Sequence, residues 1–334
     1  MRKADHLASI GVGKPFLQKS VGALDCESAS AEQAEKLLAV HGKTFHFATR
    51  FFPLKYRHAV VSLYAFFRTL DDLVDERTES WDLHEVRAEL EAWQIWFQHG
   101  CVSLSPREPL GATLATLQQE YQIPLELFLD FLCGLNSDLE PREFQQTHEL
   151  YHYCYQVAGT VGLAMTYVLG GQSRQALIAA KELGIAMQLT NILRDVGRDL
   201  AAGRIYLPAD ELARFALSPA DLYQLFQEQG EQDERFCQLM RAQVQRARVF
   251  YIRGLHGVWL LTPECRPPVL LAGRLYQRIL TEIERCRYDV FRNRASTSLL
   301  TKLREAGIVL LLHLLWRGGE VPFNPETEVL YEED

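Results

Sequence analysis

The sequence predicts an all-α fold, and three observations support this. Apolar residues recur at three- and four-residue spacing through most of the 334-residue chain. Short Pro, Gly and Ser breaks separate these segments, and no segment alternates apolar and polar residues as a half-buried strand would. No long polar linker and no fixed-period repeat divides the chain. We therefore expect a single-domain helical bundle.

Three regions follow one another along the chain. Residues 1–25 mix Gly, Pro and Lys without periodicity, which predicts a loose N-terminal arm. Residues 26–320 are expected to form the helical domain. Residues 321–334 contain acidic residues and no basic one, which indicates a solvated C-terminal tail.

Each helix of the domain is predicted from apolar periodicity between two breaks. Proline is tolerated in the first turn of a helix, so Pro53 opens a helix that continues to Glu76. The longest apolar run, 307–316, is shorter than the roughly 20 residues that span a membrane and is expected to be a buried helix. The other predicted helices are 82–98, 124–139, 143–169, 173–200, 232–261, 268–291 and 297–316.

Charge and cysteine content exclude some classes of protein. The 35 Lys and Arg against 43 Asp and Glu give a formal charge of −8, which excludes a polycation that grips nucleic acid. The seven cysteines are an odd number without a C-x-x-C pair, which favours the reducing cytoplasm. No apolar run of a signal peptide is visible near the N-terminus. We expect a cytoplasmic protein, and one face of it can still dock on a membrane.

The first of two acidic clusters ends the helix that begins at Pro53. Asp71 and Asp75 project from one face, one turn apart, and Arg68 precedes Asp71 by three residues on that side. Like charges at this spacing destabilise a helix and Asp is a poor helix former, so local stability does not explain the pattern. Either a solvated face with Arg pairs or a bound cation would explain it.

The second cluster repeats an oxygen ligand every four residues, at Asn191, Asp195 and Asp199. Oxygen ligands suit hard cations, and Mg²⁺ commonly completes its octahedron with water and substrate phosphate oxygens. If the two helices face each other, their carboxylates would repel an anionic substrate unless divalent ions bridged them. Two such clusters together favour metal-clamped binding of a diphosphate, with the metal withdrawing charge as diphosphate departs.

At these residues the sequence resembles the squalene/phytoene synthase family of head-to-head prenyltransferases. YAFFRTLDDLVDE (64–76) is similar to the family's first aspartate-rich motif and QLTNILRDVGRDLAAGRIYLP (188–208) to its second. YHYCYQVAGTVGLAMTYVLG (151–170) is similar to its central helix, and HGKTFHFATRFFP (41–53) to its diphosphate-contacting segment. The resemblance spans about residues 35–295. It implies an isoprenoid-synthase-type helical bundle around a central cavity. The activity that it implies is the condensation of two prenyl diphosphates.

The resemblance also implies the reaction and its cofactors. GRIYLP (203–208) resembles phytoene synthases, which favours two geranylgeranyl diphosphates, whereas two farnesyl diphosphates would give squalene or dehydrosqualene. Mg²⁺ is the expected cofactor, Mn²⁺ a substitute, and NADPH is needed only if the product is squalene. A peripheral membrane surface and downstream carotenoid or triterpenoid enzymes are the expected partners, besides the prenyl diphosphates.

Individual roles are carried over from the same motifs. Arg198 stands where many members have Glu, but outside the stripe of ligands, so we expect no loss of metal. The implied metal ligands are Asp71, Asp75, Asn191, Asp195 and Asp199. The implied diphosphate contacts are His41, Lys43, Thr44 and Arg68. The implied residues of the reaction centre are Tyr64, Tyr153, Gln188 and Arg194; Tyr64, Arg68 and the four aspartates are expected to be catalytic.

Small residues in the central helix give a further expectation. Ala158, Gly159 and Gly162 lie within about one turn, where each Gly costs about 1 kcal/mol relative to Ala. We predict that they bind substrate by leaving room for a prenyl chain; close helix contact is the alternative. Tyr64 and Tyr153 are the aromatic side chains predicted to shield an allylic cation.

Three other functions remain open. His148-Glu149-Leu150-Tyr151-His152 matches the H-E-x-x-H zinc peptidase signature, but no suitable third ligand follows, which favours a polar helix start. A non-catalytic scaffold on the same fold would tend to lose acidic ligands, and here all five predicted ligands are present. A head-to-tail prenyltransferase or terpene cyclase also uses Asp-rich helices, but its second motif would not read NILRDVGRD.

Overall fold

The computed structural model describes residues 43–75, 82–101, 110–140, 143–228 and 233–315. Within these ranges the chain is helical and contains no strand, apart from one isolated bridge between Glu143 and Ile205. The predicted all-α class is confirmed. The predicted N-terminal arm and acidic tail lie outside the described residues.

The helices follow the apolar segments, with π-helical and 3₁₀ turns between some of them. The π-helical turn is Tyr155–Gly159, and the 3₁₀ turns are Gly257–Leu260 and Pro263–Cys265. In chain order the helices are α1 (Lys43–Thr49), α2 (Leu54–Asp75), α3 (Leu83–Gln98), α4 (Leu110–Tyr121), α5 (Leu125–Ser137), α6 (Thr147–Cys154), α7 (Thr160–Val168), α8 (Arg174–Ala201), α9 (Ala209–Arg214), α10 (Pro219–Glu228), α11 (Glu234–His256), α12 (Arg266–Arg285) and α13 (Leu299–Leu315).

Several predicted boundaries were wrong for local reasons. Helices α1, α4, α9 and α10 were not among those predicted, because they have only 6 to 12 residues and give a weak periodic signal. The helix predicted over 268–291 ends at Arg285, since Arg287 and Tyr288 adopt positive φ angles of 52° and 63°. The one predicted over 143–169 begins at Thr147, where Glu149 closes a capping box.

Helix α8 runs through the middle of the bundle. It packs against α7, α11 and α12 and against the π-helical turn. It is long and apolar enough to cross a membrane, but a buried core helix has the same properties, and about half of its apolar stretch is buried inside the protein. One apolar cluster unites α2, α3, α4, α5 and α7. A second unites α6 and α8 with α9 to α12.

Helix α13 is not the buried helix that its apolar sequence predicted. Only Glu305 and Val309 are buried, and both face α12. Seven leucines on the other side are 54–79% exposed, namely Leu299, Leu300, Leu303, Leu310, Leu311, Leu314 and Leu315. The prediction failed because apolar residues occur on both faces, and composition alone does not say which face packs.

Candidate active site

Two helices end beside the first acidic cluster. Helix α5 ends at Ser137 and α8 at Ala201, two residues after Asp199. Arg204 joins the end of α8 to Asp75 of α2, because its backbone N–H donates to the Asp199 carbonyl at 2.8 Å and its Nη1 donates to Asp75 Oδ1 at 3.0 Å. Helix C-termini carry partial negative charge, so their convergence adds to that of the carboxylates and favours a cation.

The first acidic cluster is oriented by Arg68. Its Nη1 donates to Asp71 Oδ2 at 2.8 Å, and its Nη2 pairs with the buried carboxylate of Asp72. Burial and the nearby charge of Asp75 raise the pKa of Asp71 to about 7. Arg68 only partly offsets this, so a further cation is needed for Asp71 to be fully ionised at neutral pH.

The second cluster contains two carboxylates in opposite environments. Burial opposes ionisation of Asp195, but hydrogen bonds from Arg194 and Arg294 outweigh it and lower its pKa to about 2. Arg294 donates from Nε and Nη2 at 2.8 and 3.1 Å. Burial and the charges of Asp195 and Asp75 raise the pKa of Asp199 to about 7. The exposed Arg198 lies beside Asp199 and lowers its pKa slightly.

Gly197 allows Arg294 to reach this cluster. A Cβ at Gly197 would lie 2.8 Å from Phe291 Cα and 2.9 Å from Val290 O. The backbone at 290–291 can approach α8 only because that atom is absent. Gly197 therefore places Arg294, three residues further on, against Asp195.

The oxygen ligands fit Mg²⁺ or Mn²⁺. Asn191 Oδ1 is buried and accepts no hydrogen bond, while its Nδ2 donates to Gln188 Oε1 at 3.2 Å. An unpaired buried acceptor costs about 1–3 kcal/mol, which a cation would recover. No three His, Cys, Asp or Glu side chains enclose an ion by themselves in the described ranges. Mg²⁺ commonly uses one or two carboxylates and completes its shell with water and phosphate oxygens, so an open arrangement suits it.

Asp138 is a site residue that the sequence did not reveal. It caps the C-terminus of α5, and its carboxylate accepts hydrogen bonds from Tyr153 at 2.8 Å and Tyr206 at 3.1 Å. Burial raises its pKa to about 6, although both tyrosines oppose the rise. The negative charge of Asp75 also raises the pKa of Asp138. Its only signal in the sequence is an acid at the end of an apolar helix.

The two predicted aromatic residues have different surroundings. Tyr64 is half-buried and stacks on Phe45, with ring centroids 4.5 Å apart. Burial and the nearby Tyr276 of α12 raise the pKa of Tyr64 above its usual range. Tyr153 is buried and stacks on Tyr206, with ring centroids 5.4 Å apart. Its hydroxyl donates a hydrogen bond to Asp138 in the acidic site.

Close helix contact explains the small residues of the central helix better than a void. A Cβ at Gly162 would lie 2.6 Å from Ala180 O on α8. A Cβ at Gly184 of α8 would lie 2.3 Å from the Ala158 carbonyl oxygen, and one at Gly159 would lie 3.0 Å from the Tyr155 ring. These residues let the π-helical turn and α7 approach α8. Contact of Ala158, Gly159 and Gly162 with a prenyl chain stays a prediction.

A cleft lies beside the acidic site. It has about 220 Å³ of empty volume, part of it open to solvent, and it borders Asp199, Arg204, Tyr206 and apolar side chains. The larger prenyl cavity stays a prediction. So do diphosphate contacts of His41, Lys43 and Thr44: His41 and the Lys43 side chain lie outside the described residues, and Thr44 is half-buried in α1.

The H-E-x-x-H segment is a helix start. Glu149 Oε2 accepts hydrogen bonds from the backbone N–H groups of Gln145 and Gln146 at 2.7 and 3.1 Å. His148 and His152 are both exposed, the first at the start of α6 and the second in its last turn. The carboxylate that a peptidase would use as a base is thus occupied in capping the helix.

Arg204→Gln should weaken the metal-free protein but leave it responsive to Mg²⁺. Losing the pair with Asp75 should lower the free energy of unfolding by about 1 kcal/mol in EDTA, because the pair is partly exposed. Added Mg²⁺ should stabilise the variant more than the wild type, since one cation has been removed from the carboxylates. Urea unfolding with EDTA or Mg²⁺ measures both. Arg285→Gln is the control, because Arg285 is exposed and pairs with Glu282 in an i,i+3 surface bridge. Equal stability of variant and wild type in EDTA would contradict the bridging role.

Comparisons with known proteins come from sequence and from fold. A family described as squalene/phytoene synthase matches residues 38–301. The phytoene synthase of Arthrospira platensis is 40% identical over 281 residues, covering 80% of this chain and 88% of that protein. The 15-cis-phytoene synthase of Synechococcus elongatus is 34% identical, covering 86% and 95%. A ligand complex of a dehydrosqualene synthase has a TM-score of 0.77 at 27% identity, covering 87% and 98%.

Proposed function

Because the chain belongs to the squalene/phytoene synthase family, we propose that it condenses two geranylgeranyl diphosphates head to head into phytoene. The observation that supports this most directly is 34–40% identity with phytoene synthases over at least 80% of the chain. The meeting of the two acidic clusters supplies a place for the diphosphates. The isoprenoid-synthase fold expected from the resemblance agrees with the dehydrosqualene synthase neighbour.

The proposed reaction has two ionisations. In the first, one donor loses diphosphate and its allylic cation is attacked by the double bond of the second donor. Loss of a proton gives a cyclopropylcarbinyl diphosphate, prephytoene diphosphate. In the second, this intermediate loses its diphosphate, the carbon skeleton rearranges, and loss of another proton gives phytoene. A squalene product would instead require hydride from NADPH.

The chain's own residues orient the diphosphates and balance their charge. Asp71, Asp75, Asn191, Asp195 and Asp199 are the oxygen donors that would hold Mg²⁺. Bound Mg²⁺ would withdraw negative charge from the departing diphosphate. Arg68 and Arg294 are fixed by the carboxylates beside them, so their remaining N–H groups are preorganised for phosphate oxygens. Asp138 holds the hydroxyls of Tyr153 and Tyr206 in place.

The proposal includes a cellular setting. A C40 hydrocarbon product is insoluble in water, so the enzyme would act in the cytoplasm as a peripheral protein on a membrane surface. There it would deliver product to enzymes that modify carotenoid or triterpenoid skeletons.

Product identification tests the reaction. Pure protein is incubated with the C15 or C20 diphosphate and Mg²⁺, with and without NADPH, and the hydrocarbon is identified by mass spectrometry. We expect phytoene from the C20 donor with no dependence on NADPH. Dehydrosqualene or squalene from the C15 donor in greater yield would overturn the donor assignment. The absence of any hydrocarbon would favour a scaffold.

A further inference from the structure

We propose that the exposed face of α13 is the surface on which the protein docks to an anionic lipid bilayer. This deepens the proposed membrane association, and it does not depend on which diphosphate is the substrate. Seven leucines lie on the side of α13 opposite Glu305 and Val309, and each is more than half exposed. Gly307 lies among them with open space where a Cβ would be. Soluble proteins rarely leave such a continuous apolar stripe in water.

The stripe is held in a fixed orientation. Glu305 is fully buried and receives hydrogen bonds from Arg274 Nε at 2.9 Å and Arg278 Nε at 2.8 Å, both on α12. Val309 packs beside it against Leu271 and Leu275. Since the polar and apolar anchors both face α12, the leucines must face outward. Within the part of the chain that the structure describes, the exposure of these leucines is therefore a property of the folded bundle.

The charges around α13 complement an anionic surface. The only acid in the helix is Glu305, which is buried, whereas Lys302 and Arg304 are partly or well exposed. Arg274 and Arg278 add two further guanidinium groups at this end of the bundle. Four basic side chains thus accompany one acid in a chain whose formal charge is −8. Basic residues near an apolar helix face are typical of helices that bind anionic lipids.

The dimensions favour a bilayer over a second copy of the chain. The 17 described residues of α13 are about 25 Å long and lie against α12, an arrangement suited to a helix in the bilayer interface. One face of that length offers roughly 25 by 15 Å, under half of the about 800 Å² that each partner gives a stable dimer. Two copies would also bring their basic side chains together.

The position of α13 connects this surface to the proposed reaction. Helix α12, on which α13 lies, carries Tyr276, an electrostatic neighbour of Tyr64 and Arg194 in the active site. On α1, Phe47 packs against the same cluster as Val309, and Phe51, which contacts Phe47, is 49% exposed. A bilayer against α13 would therefore lie one helix layer from the site where an apolar product forms.

Flotation with vesicles tests the surface. The full chain is mixed with phosphatidylcholine vesicles or with vesicles containing about 30% phosphatidylglycerol, and bound protein is collected by density centrifugation. We expect binding to the anionic vesicles that Leu310→Ser/Leu311→Ser/Leu314→Ser lowers at least about tenfold. The matched control Ile95→Ser/Val249→Ser/Ile252→Ser removes exposed apolar side chains from α3 and α11 and should bind as wild type does. Lys302→Gln/Arg304→Gln should lose several-fold on anionic vesicles and little on neutral ones.

The outcomes are distinct. Equal flotation of the α13 triple variant and wild type, or no flotation of wild type, overturns the proposal. A dimeric wild type that becomes monomeric in the triple variant without any flotation assigns the face to a second copy and also overturns it. Phytoene formation in detergent, measured on the same preparations, separates the two hypotheses: product without flotation refutes only the docking surface, and flotation without product refutes only the reaction.

Discussion

Asp71→Ala should lower kcat by at least about a thousandfold at saturating Mg²⁺. Asp71 is the acid that Arg68 orients toward the meeting point of α2 and α8, and its pKa is raised to about 7 by burial and by Asp75. A bound cation would favour its ionised form. Asp195→Ala on the opposing helix should have a similar effect, because it removes a ligand and releases Arg294.

Single-turnover and steady-state kinetics measure the loss of kcat. Glu91→Gln, an exposed acid on α3, is the control and should keep wild-type kcat. Circular dichroism and gel filtration should be unchanged in all three variants. If Asp71→Ala kept more than about a tenth of wild-type kcat, the metal assignment would be wrong.

The same residue should make stability depend on pH in a defined direction. The pKa of Asp71 is higher in the folded protein than the roughly 3.9 of an unfolded chain. Its stabilising contribution is therefore complete below about pH 4 and is lost as pH rises through 7. In EDTA at pH 8, Asp71→Asn should be more stable than wild type by about 1 kcal/mol, a value kept small because the side chain is 40% exposed.

This gain should disappear near pH 3, where Asp71 is largely protonated in both the folded and the unfolded chain. Urea unfolding at the two pH values measures the difference, and comparison with wild type at each pH cancels the titration of other groups. Mg²⁺ at pH 8 should stabilise the wild type more than the variant. A variant less stable than wild type at pH 8 in EDTA would show that the cluster is not strained by its own charge.

Glu305→Gln should lower the free energy of unfolding by about 3 kcal/mol at pH 7. Glu305 is fully buried, and Arg274, Arg278 and Arg304 all pair with its carboxylate. Removing the charge leaves three guanidinium groups without their shared counter-ion, and those of Arg274 and Arg278 are only partly exposed. The contact between α12 and α13 depends on this carboxylate and the small apolar cluster around Val309.

The effect should shrink in acid. Burial opposes ionisation of Glu305, but the arginines outweigh it and hold its pKa below the usual range. Its contribution is therefore present above the unfolded pKa of about 4.3 and is lost as pH falls through the folded value. Urea unfolding at neutral and acidic pH checks this. Glu282→Gln is the control, since Glu282 pairs with the exposed Arg285 in an i,i+3 surface bridge. A loss under about 0.5 kcal/mol at pH 7 would refute the anchoring role.

The sequence by itself determined the helical class and the spacing of ligands within each helix. Both depend on the 3.6-residue period, which places Asp71 and Asp75, or Asn191, Asp195 and Asp199, on one face whatever the rest of the chain does. The motifs at 64–76 and 188–208 were specific enough to identify the family. The short helices α1, α4, α9 and α10 were missed because so few turns give little periodicity.

Only the tertiary structure decided which helix faces meet. Arg294 reaches Asp195 across 99 positions, Tyr206 reaches Asp138 across 68, and Arg204 reaches Asp75 across 129. No local pattern encodes such pairs, because they arise when separate helices pack. The same is true of Gly162, which allows close approach to α8, and of the leucines of α13, whose exposure is set by the pairing of Glu305 with α12. Periodicity decides which side chains share one face of a helix, and packing decides which other helices that face contacts.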